Sequence, residues 1–523
     1  MADRTAPNVL LVMADQLGAH AVPAYGNAIV DAPALSRLGD ESVVFENAYC
    51  NSPLCAPSRA SLMTGRLPSR IGIYDNAAEL PSSVPTIAHH LRAGGYETCL
   101  VGKMHFIGPD QLHGFEERLT TDVYPAGLDW TPDWERSPGD RLPWYHDMRS
   151  VFRPGVAEAT LQTDFDEEVA FRAVRKITDL ARNDERRPFF LVVSFTHPHD
   201  PWEVPGPYWA RYEGGQGDLP AVPRIALADL DPHSRRVRLM CDDETDEIPD
   251  ETIRRARLAY YAAVSYVDDR IGRVLAALDS TGLRRDTVVV VTADHGETLG
   301  ERGLWYKMSF FEPSARVPLI VHAPRRFAAR RVSRPVSLVD LLPTLVEMAT
   351  GAAFDAEEAL DGTSLLPLLL GEGGGPPEVL GEYLAEGAVA PIVMIRRGKH
   401  KYVHSPADPD QLYDLSSDPH ELSNLASDDA AADVVSSFRD EVSSRWDLRR
   451  LHDDVLASQR QRRLVFDALS RGRVTSWDHR PPDDSADRYV RRQDFWAAFA
   501  GTTLRSPSDD PAPSGSAETI DGG

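Results

Sequence analysis

A chain of 523 residues is too long for one small core and predicts a large domain with a smaller companion. An apolar fraction of 42% with 26% charged residues is that of a soluble globular protein. A formal net charge of −24 disfavours a nucleic-acid binder and is compatible with a cationic small ligand.

The start, Met1-Ala2-Asp3-Arg4-Thr5, has no apolar signal region, and no run of about 18 apolar residues follows. A cytoplasmic protein without a membrane span is expected. Continuous apolar runs at 8–13, 98–102, 189–195 and 287–292 predict strands of a parallel sheet covered on both faces. Residues 252–280 read as a helix. Tyr260, Val264, Val267, Ile271, Val274 and Leu278 recur at steps of three and four, and Gly282 is the stop. Alternating strands and helices predict an α/β fold.

Polar residues fall at the strand ends. Asp15-Gln16 follows the first run, Lys103 and His105 the second, His197 and His199 the third, and Asp294-His295 the fourth. Ligands of open α/β sheets bind at the carboxyl ends of strands, so one rim receives acids, bases and cations. Taken singly, Asp15 fits a helix cap and Asp294 a turn; together they predict a site.

The Gly/Pro-rich stretch 371–377 reads as a surface connection. It divides a large domain, 1–370, from a smaller C-terminal α+β domain, 378–504, with short strands over 378–403 and a helix over 426–453. The Ser/Pro/Asp/Gly-rich end, 505–523, is expected to be disordered. The acidic run 241–251 reads as a solvated loop. Cys50, Cys55, Cys99 and Cys241 form no CxxC pair, which argues against a disulfide framework or a zinc module.

The most informative stretch is Leu54-Cys55-Ala56-Pro57-Ser58-Arg59-Ala60-Ser61-Leu62-Met63-Thr64-Gly65-Arg66. A thiol beside fixed positive charge is a poised nucleophile or a processing target; a lone cysteine is otherwise a small buried apolar residue. Cys-x-Pro-Ser-Arg followed by Leu-x-Thr-Gly-Arg resembles the sulfatase signature, in which the cysteine is oxidised to formylglycine. Asp15, Gly102-Lys103-Met104-His105, His199-Asp200-Pro201, Asp294-His295-Gly296 and Lys307 extend the resemblance over most of the chain.

That resemblance implies an alkaline-phosphatase-like fold, a large mixed and mostly parallel sheet between helices. It implies a divalent metal held by Asp15, Asp294 and the oxygen of the modified Cys55, with Gln16 and His295 as further ligands or supporting groups. Oxygen donors suit Ca²⁺ first, with Mg²⁺ or Mn²⁺ as alternatives. Arg59, Lys103 and Lys307 would neutralise the sulfate and the diol, while His105 and His199 would hydrogen-bond or carry protons. One diol hydroxyl attacks sulfur, the alcohol leaves, and collapse of the hemiacetal expels sulfate. A formylglycine-generating enzyme is the implied processing partner.

Many sulfatases carry Asp-Asp and Asp-Asn where this chain has Asp15-Gln16 and Asp294-His295. Both departures resemble the choline-sulfatase and phosphonate-monoesterase branch. The segments 51–59, 67–72, 74–79, 196–201 and 300–312, and Trp477-Asp478, are similar to the choline-sulfatase group. That similarity implies choline-O-sulfate as substrate. It places Trp130, His146 and Glu386 at the quaternary ammonium and Asn76 near the sulfate, since such a cation is recognised by aromatic faces and carboxylates. It also implies a homodimer or homotetramer, with contacts from residues 477–489. A phosphonate monoester or phosphodiester hydrolase, or another alkyl or aryl sulfatase, using the same centre is the alternative. An inactive ester-binding protein is the third reading, should Cys55 stay a thiol.

Overall fold

The computed structural model describes residues 6–137, 140–183, 187–215, 217–354 and 359–481. The elements that build the site are, in chain order, β1 (Asn8–Ala14), β2 (Val43–Phe45), α1 (Cys55–Thr64), β3 (Glu97–Gly102), β4 (Glu117–Arg118), α2 (Leu161–Arg182), β5 (Phe189–Phe195), α3 (Asp250–Ser280), β6 (Thr287–Ala293), β7 (Leu319–His322) and β8 (Arg330–Val332). The eight strands form one sheet in the order β8-β2-β7-β6-β1-β5-β3-β4. The β6-β1-β5-β3-β4 part is parallel. At the other side β7 runs antiparallel to both β6 and β2, so the sheet is mixed. Residues of β5 and β6 are buried throughout, as continuous apolar runs require. Tyr260, Val264, Val267, Ile271, Val274 and Leu278 are all buried along α3, which packs against α2.

Register places the rim. Ala14 lies opposite both Phe195 and Ala293, and Gly102 opposite Ser194. The expected acids, bases and cations therefore leave four neighbouring strands at one level. The ladder runs one step further, with Asp15 N donating to Phe195 O and Lys103 N to Ser194 O. Gly102 is required there: its φ is +105°, and a Cβ would stand 2.0 Å from Ser194 O.

Beyond the connection at 371–377 lie β9 (Val379–Tyr383), β10 (Ile392–Arg397), β11 (His400–Ser405), β12 (Asp408–Asp414), α4 (Ala432–Arg445) and α5 (Leu448–Leu469). The four strands form an antiparallel sheet in sequence order. Alternation sends Ile392 and Met394 into the main core, and Val393 and Ile395 into a second core with Val435, Phe438 and Val442 of α4. The single helix expected over 426–453 is two. The break falls at Trp446-Asp447, where Asp447 caps α5 by accepting from Arg450 N at 3.0 Å. Strand β12 departs from the expectation, because Asp408-Pro409-Asp410-Gln411 is polar. Among the described residues no helix is long and apolar enough to cross a membrane. The tail expected to be disordered, 505–523, and most of the expected oligomer contact, 477–489, lie outside the described residues.

Candidate active site

Cys55 is the first residue of α1, and every residue of that helix is buried. Its position beside the strand ends is set by Arg59, one turn later. Arg59 Nε donates to Asp294 Oδ2 at 2.8 Å and Nη2 to Asp15 Oδ2 at 3.3 Å. Nη1 donates to Lys103 O at 2.7 Å and to Ser194 Oγ at 2.8 Å. One guanidinium thus ties β1, β3, β5 and β6 to the helix. Burial alone would raise both carboxyls. Lys103, His199 and Arg59 outweigh it at Asp15, and Arg59 outweighs it at Asp294, so both stay below the usual carboxylate range.

Ligand atoms of Asp15, Cys55, Asp294 and His295 all lie within 4.8 Å of one another. His295 Nδ1 is 3.0 Å from Gly296 O, so it carries the ring proton and Nε2 presents a lone pair. That Nε2 stands 3.2 Å from Cys55 Sγ and 3.8 Å from both Asp15 Oδ1 and Asp294 Oδ1. Burial, helped by the charge of Lys307, lowers the imidazole to about 4, so it is neutral at pH 7. Two ionised carboxylates and a neutral imidazole facing one point are the donor set of a divalent cation. His295, where the family often has asparagine, keeps a donor there.

The Cys55 thiol is 1% exposed, and burial with the charge of Asp15 raises it to about 12 despite Lys103 and Lys307. As a thiol it is a poor nucleophile at neutral pH; of the two reactive readings, the processing target is the one the surroundings favour. Lys103 Nζ pairs with Asp15 Oδ2, stands 3.7 Å from Cys55 Sγ and lies 4.2 Å over the Tyr124 ring. Lys307 Nζ donates to Gln16 Oε1 at 2.6 Å and meets His199 Nε2 at 2.8 Å. His199 Nδ1 lies 2.7 Å from Asp200 O, and burial, with Lys307, lowers this ring to about 3. The Gln16 amide is oriented by Glu297 Oε2, 2.6 Å from Nε2, and by Asp200 Oδ1 at 3.3 Å. With two carboxylates already on that side, an amide fits where a third would be repelled. Gln16, His105, Tyr306 and Met308 all have φ between 60° and 75°. Each such residue costs on the order of 1–2 kcal/mol, and their clustering around Asp15, Lys103 and Lys307 marks a functional rim.

Further out, both His105 ring nitrogens are buried without a partner among the described residues, and burial lowers that ring to about 3. Its loop is held by Asp122, whose Oδ2 accepts from Met104 N at 3.0 Å and His105 N at 2.9 Å. Trp130 packs edge-on to His105 at 5.7 Å and to Tyr124 at 4.9 Å, and stacks on Trp144 at 6.4 Å. Trp130 and Trp144 line an open cavity of about 480 Å³. His146 stacks on Tyr306 at 4.5 Å and lies 3.5 Å from Asp200. Asn76 Oδ1 accepts from Ala56 N at 3.0 Å, beside Cys55. Glu386 is 3% exposed, and its Oε2 has no partner among the described residues. Burial and the charge of Asp75 raise its carboxyl to about 7, against Lys307.

Sequence reasoning gives no role to Ser194, Glu297, Asp122, Asp75 or Asp200. Glu297 and Asp200 adjoin or fall within the motifs above, and that adjacency is the one signal that could have found them.

A sulfatase family model matches residues 7–352. A choline sulfatase enzyme C-terminal model matches 453–499, and an N-sulphoglucosamine sulphohydrolase C-terminal model matches 300–447. The chain is 47% identical over 494 residues to the choline-sulfatase of Rhizobium meliloti (strain 1021), covering 93% of this chain and 96% of that one. It is 28% identical over 506 residues to a multifunctional alkaline phosphatase superfamily protein of Trinickia caryophylli, covering 85% and 96%. The phosphonate monoester hydrolase of Agrobacterium radiobacter superposes with a TM-score of 0.66 at 26% identity, covering 85% of this chain and 96% of that one. The cysteine-headed helix, the cation cradle and these matches agree, and the chain belongs to the sulfatase family of sulfuric ester hydrolases.

Proposed function

We propose that this enzyme hydrolyses choline-O-sulfate to choline and sulfate, with Cys55 acting as formylglycine beside a divalent cation. The observation that carries the reading is the enclosure of position 55 by Asp15, Asp294, His295 and Lys103, with the rings of Tyr124 and Trp130 further out. Asp15, Asp294, His295 and position 55 would hold the cation, with Gln16 supporting. Ca²⁺ suits the carboxylates, and the imidazole nitrogen also admits Mn²⁺. When bound, the cation supplies Lewis-acid stabilisation of charge on the sulfuryl oxygens, and the hydrated aldehyde supplies the attacking hydroxyl.

The chain's own residues do the rest. Arg59 keeps both carboxylates ionised and aimed at the cradle. Lys103 brings positive charge to position 55 and to the sulfate. Lys307 Nζ lies 2.8 Å from Nε2 of the neutral His199, a pair that can hand a proton to a departing alkoxide. His105 has two buried ring nitrogens that no described residue satisfies and that a substrate oxygen would. Trp130, His146 and Glu386 take the quaternary ammonium by ring faces and negative charge, and Asn76 steadies the start of α1 beside the sulfate. Because α1 is wholly buried, the formylglycine-generating enzyme must meet this segment before the fold closes. Residues 477–489 join copies of the chain into a dimer or tetramer, and the boundary near 371–377 separates catalytic and C-terminal units.

Two expected results test the substrate. Trp130→Ala raises KM for choline-O-sulfate by about thirtyfold, and that for an aryl sulfate without a cationic group far less, because a desolvated cation–π contact contributes about 2 kcal/mol. Equal effects on both esters would refute a cation site. Because the Glu386 carboxyl is raised to about 7, it is protonated below that pH and ionised above it. KM for choline-O-sulfate should fall by up to about tenfold as pH rises across this range, and in Glu386→Gln that dependence should vanish. The phosphonate and phosphodiester reading is favoured by Gln16 and His295 and by the Agrobacterium radiobacter likeness, and a higher kcat/KM on those esters would establish it instead.

A further inference from the structure

Helix α5 lies far along the chain from the strand ends, yet it touches the segments that carry Trp130 and Glu386 and the one that carries Asn76. Arg462 Nη1 and Nη2 donate to Asp75 Oδ1 and Oδ2, both at 2.6 Å, across 387 residues of sequence. Asp75 is fully buried and Arg462 is 9% exposed, so this is a bidentate pair shielded from water. Asp75 precedes Asn76, whose amide holds Ala56 N. Arg462 Nη1 also reaches Thr131 Oγ1 at 3.5 Å, next to Trp130. One turn earlier, the fully buried Gln459 accepts from Trp134 N at 2.9 Å through Oε1. Trp134 Nε1 in turn donates to Ala385 O at 2.9 Å, next to Glu386. Leu451 and Val455 of the same helix pack with Leu384, Tyr74 and Trp134.

We infer that Arg462 is the positioning residue that sets this enzyme's preference for a cationic alcohol, by holding Asp75–Asn76 against Thr131, next to Trp130, while Gln459 of the same helix ties Trp134 to Ala385–Glu386. The inference rests on the choline-O-sulfate reading above. A quaternary ammonium donates no hydrogen bond, so it cannot correct a misplaced wall; ring and carboxylate must stand at the right distance beforehand. A guanidinium fork bonded to both oxygens fixes distance and plane together, which a lysine's single point charge cannot do. The sulfate end is set differently, by Arg59, Lys103 and Lys307 at the sheet rim. Arg462 also compensates the buried charge of Asp75, which would otherwise act on Glu386 without a counter-charge.

The test is steady-state kinetics of the full-length, converted enzyme on choline-O-sulfate and on para-nitrophenyl sulfate, whose alcohol carries no cation. Arg462→Ala should raise KM for choline-O-sulfate by about tenfold or more, while kcat/KM for the aryl ester falls by a severalfold smaller factor. Arg462→Lys should raise the same KM several-fold, between wild type and alanine. Should Arg462→Ala not fold, the lysine variant decides the question by the same ratio. Equal losses on both esters would overturn the inference, leaving Arg462 a general brace, and so would unchanged KM on both. Failure of the wild type to turn over choline-O-sulfate at all would sink the substrate reading itself, a result visible before any variant is made.

Discussion

Replacing Cys55 with alanine should lower sulfate release from choline-O-sulfate by at least about a thousandfold, with the fold intact. Alanine is the best helix former, and position 55 opens a buried helix anchored elsewhere by Arg59, so thermal stability should hardly move. The loss is chemical. Burial and the charge of Asp15 raise the thiol to about 12, so unconverted Cys55 is a poor nucleophile at pH 7. Activity across preparations should therefore track the converted fraction. Turnover surviving Cys55→Ala would mean that another group attacks sulfur.

Arg59→Met should give the largest loss of stability of any site variant. The change leaves Asp15 and Asp294 close together and buried, without the guanidinium that bonds both. Removing one partner of a buried ion pair costs about 3–5 kcal/mol. Differential scanning calorimetry in a chelator should show a clearly lower Tm, and adding a divalent cation should restore more of it than in wild type, because the cation takes over the missing positive charge. The acid limb should shift as well. Both carboxyls lie below their ordinary value in the folded state, so they stabilise the fold above about pH 4 and lose that effect as pH falls through their lower folded values. Without Arg59 those values rise, and acid unfolding should begin at higher pH. A variant with wild-type Tm in chelator would contradict the hub role of Arg59.

The rim of the site was legible in the sequence because buried parallel strands are continuous apolar runs. The first polar residue after each run marks the sheet edge, and register brings Asp15, Lys103 and Asp294 to one level. The Cys55–Arg66 stretch was legible because its residue order is specific. Other parts were not. Arg462 is one arginine among many on an amphipathic helix, and only the fold carries it across 387 residues to Asp75. Glu297 and Asp122 act through backbone and amide contacts that no spacing rule marks. The break at Trp446-Asp447 was hidden because helical periodicity continues on both sides of it. Strand β12 was hidden by its polar start, since it pairs at one edge of the small sheet rather than filling the core.

The most direct measurement is the mass of the peptide containing Cys55 in catalytically active enzyme. The account predicts that this residue carries CHO in place of CH₂SH, and that choline-O-sulfate turnover scales with the fraction so converted. A preparation with full turnover in which every Cys55 retains its thiol would contradict it.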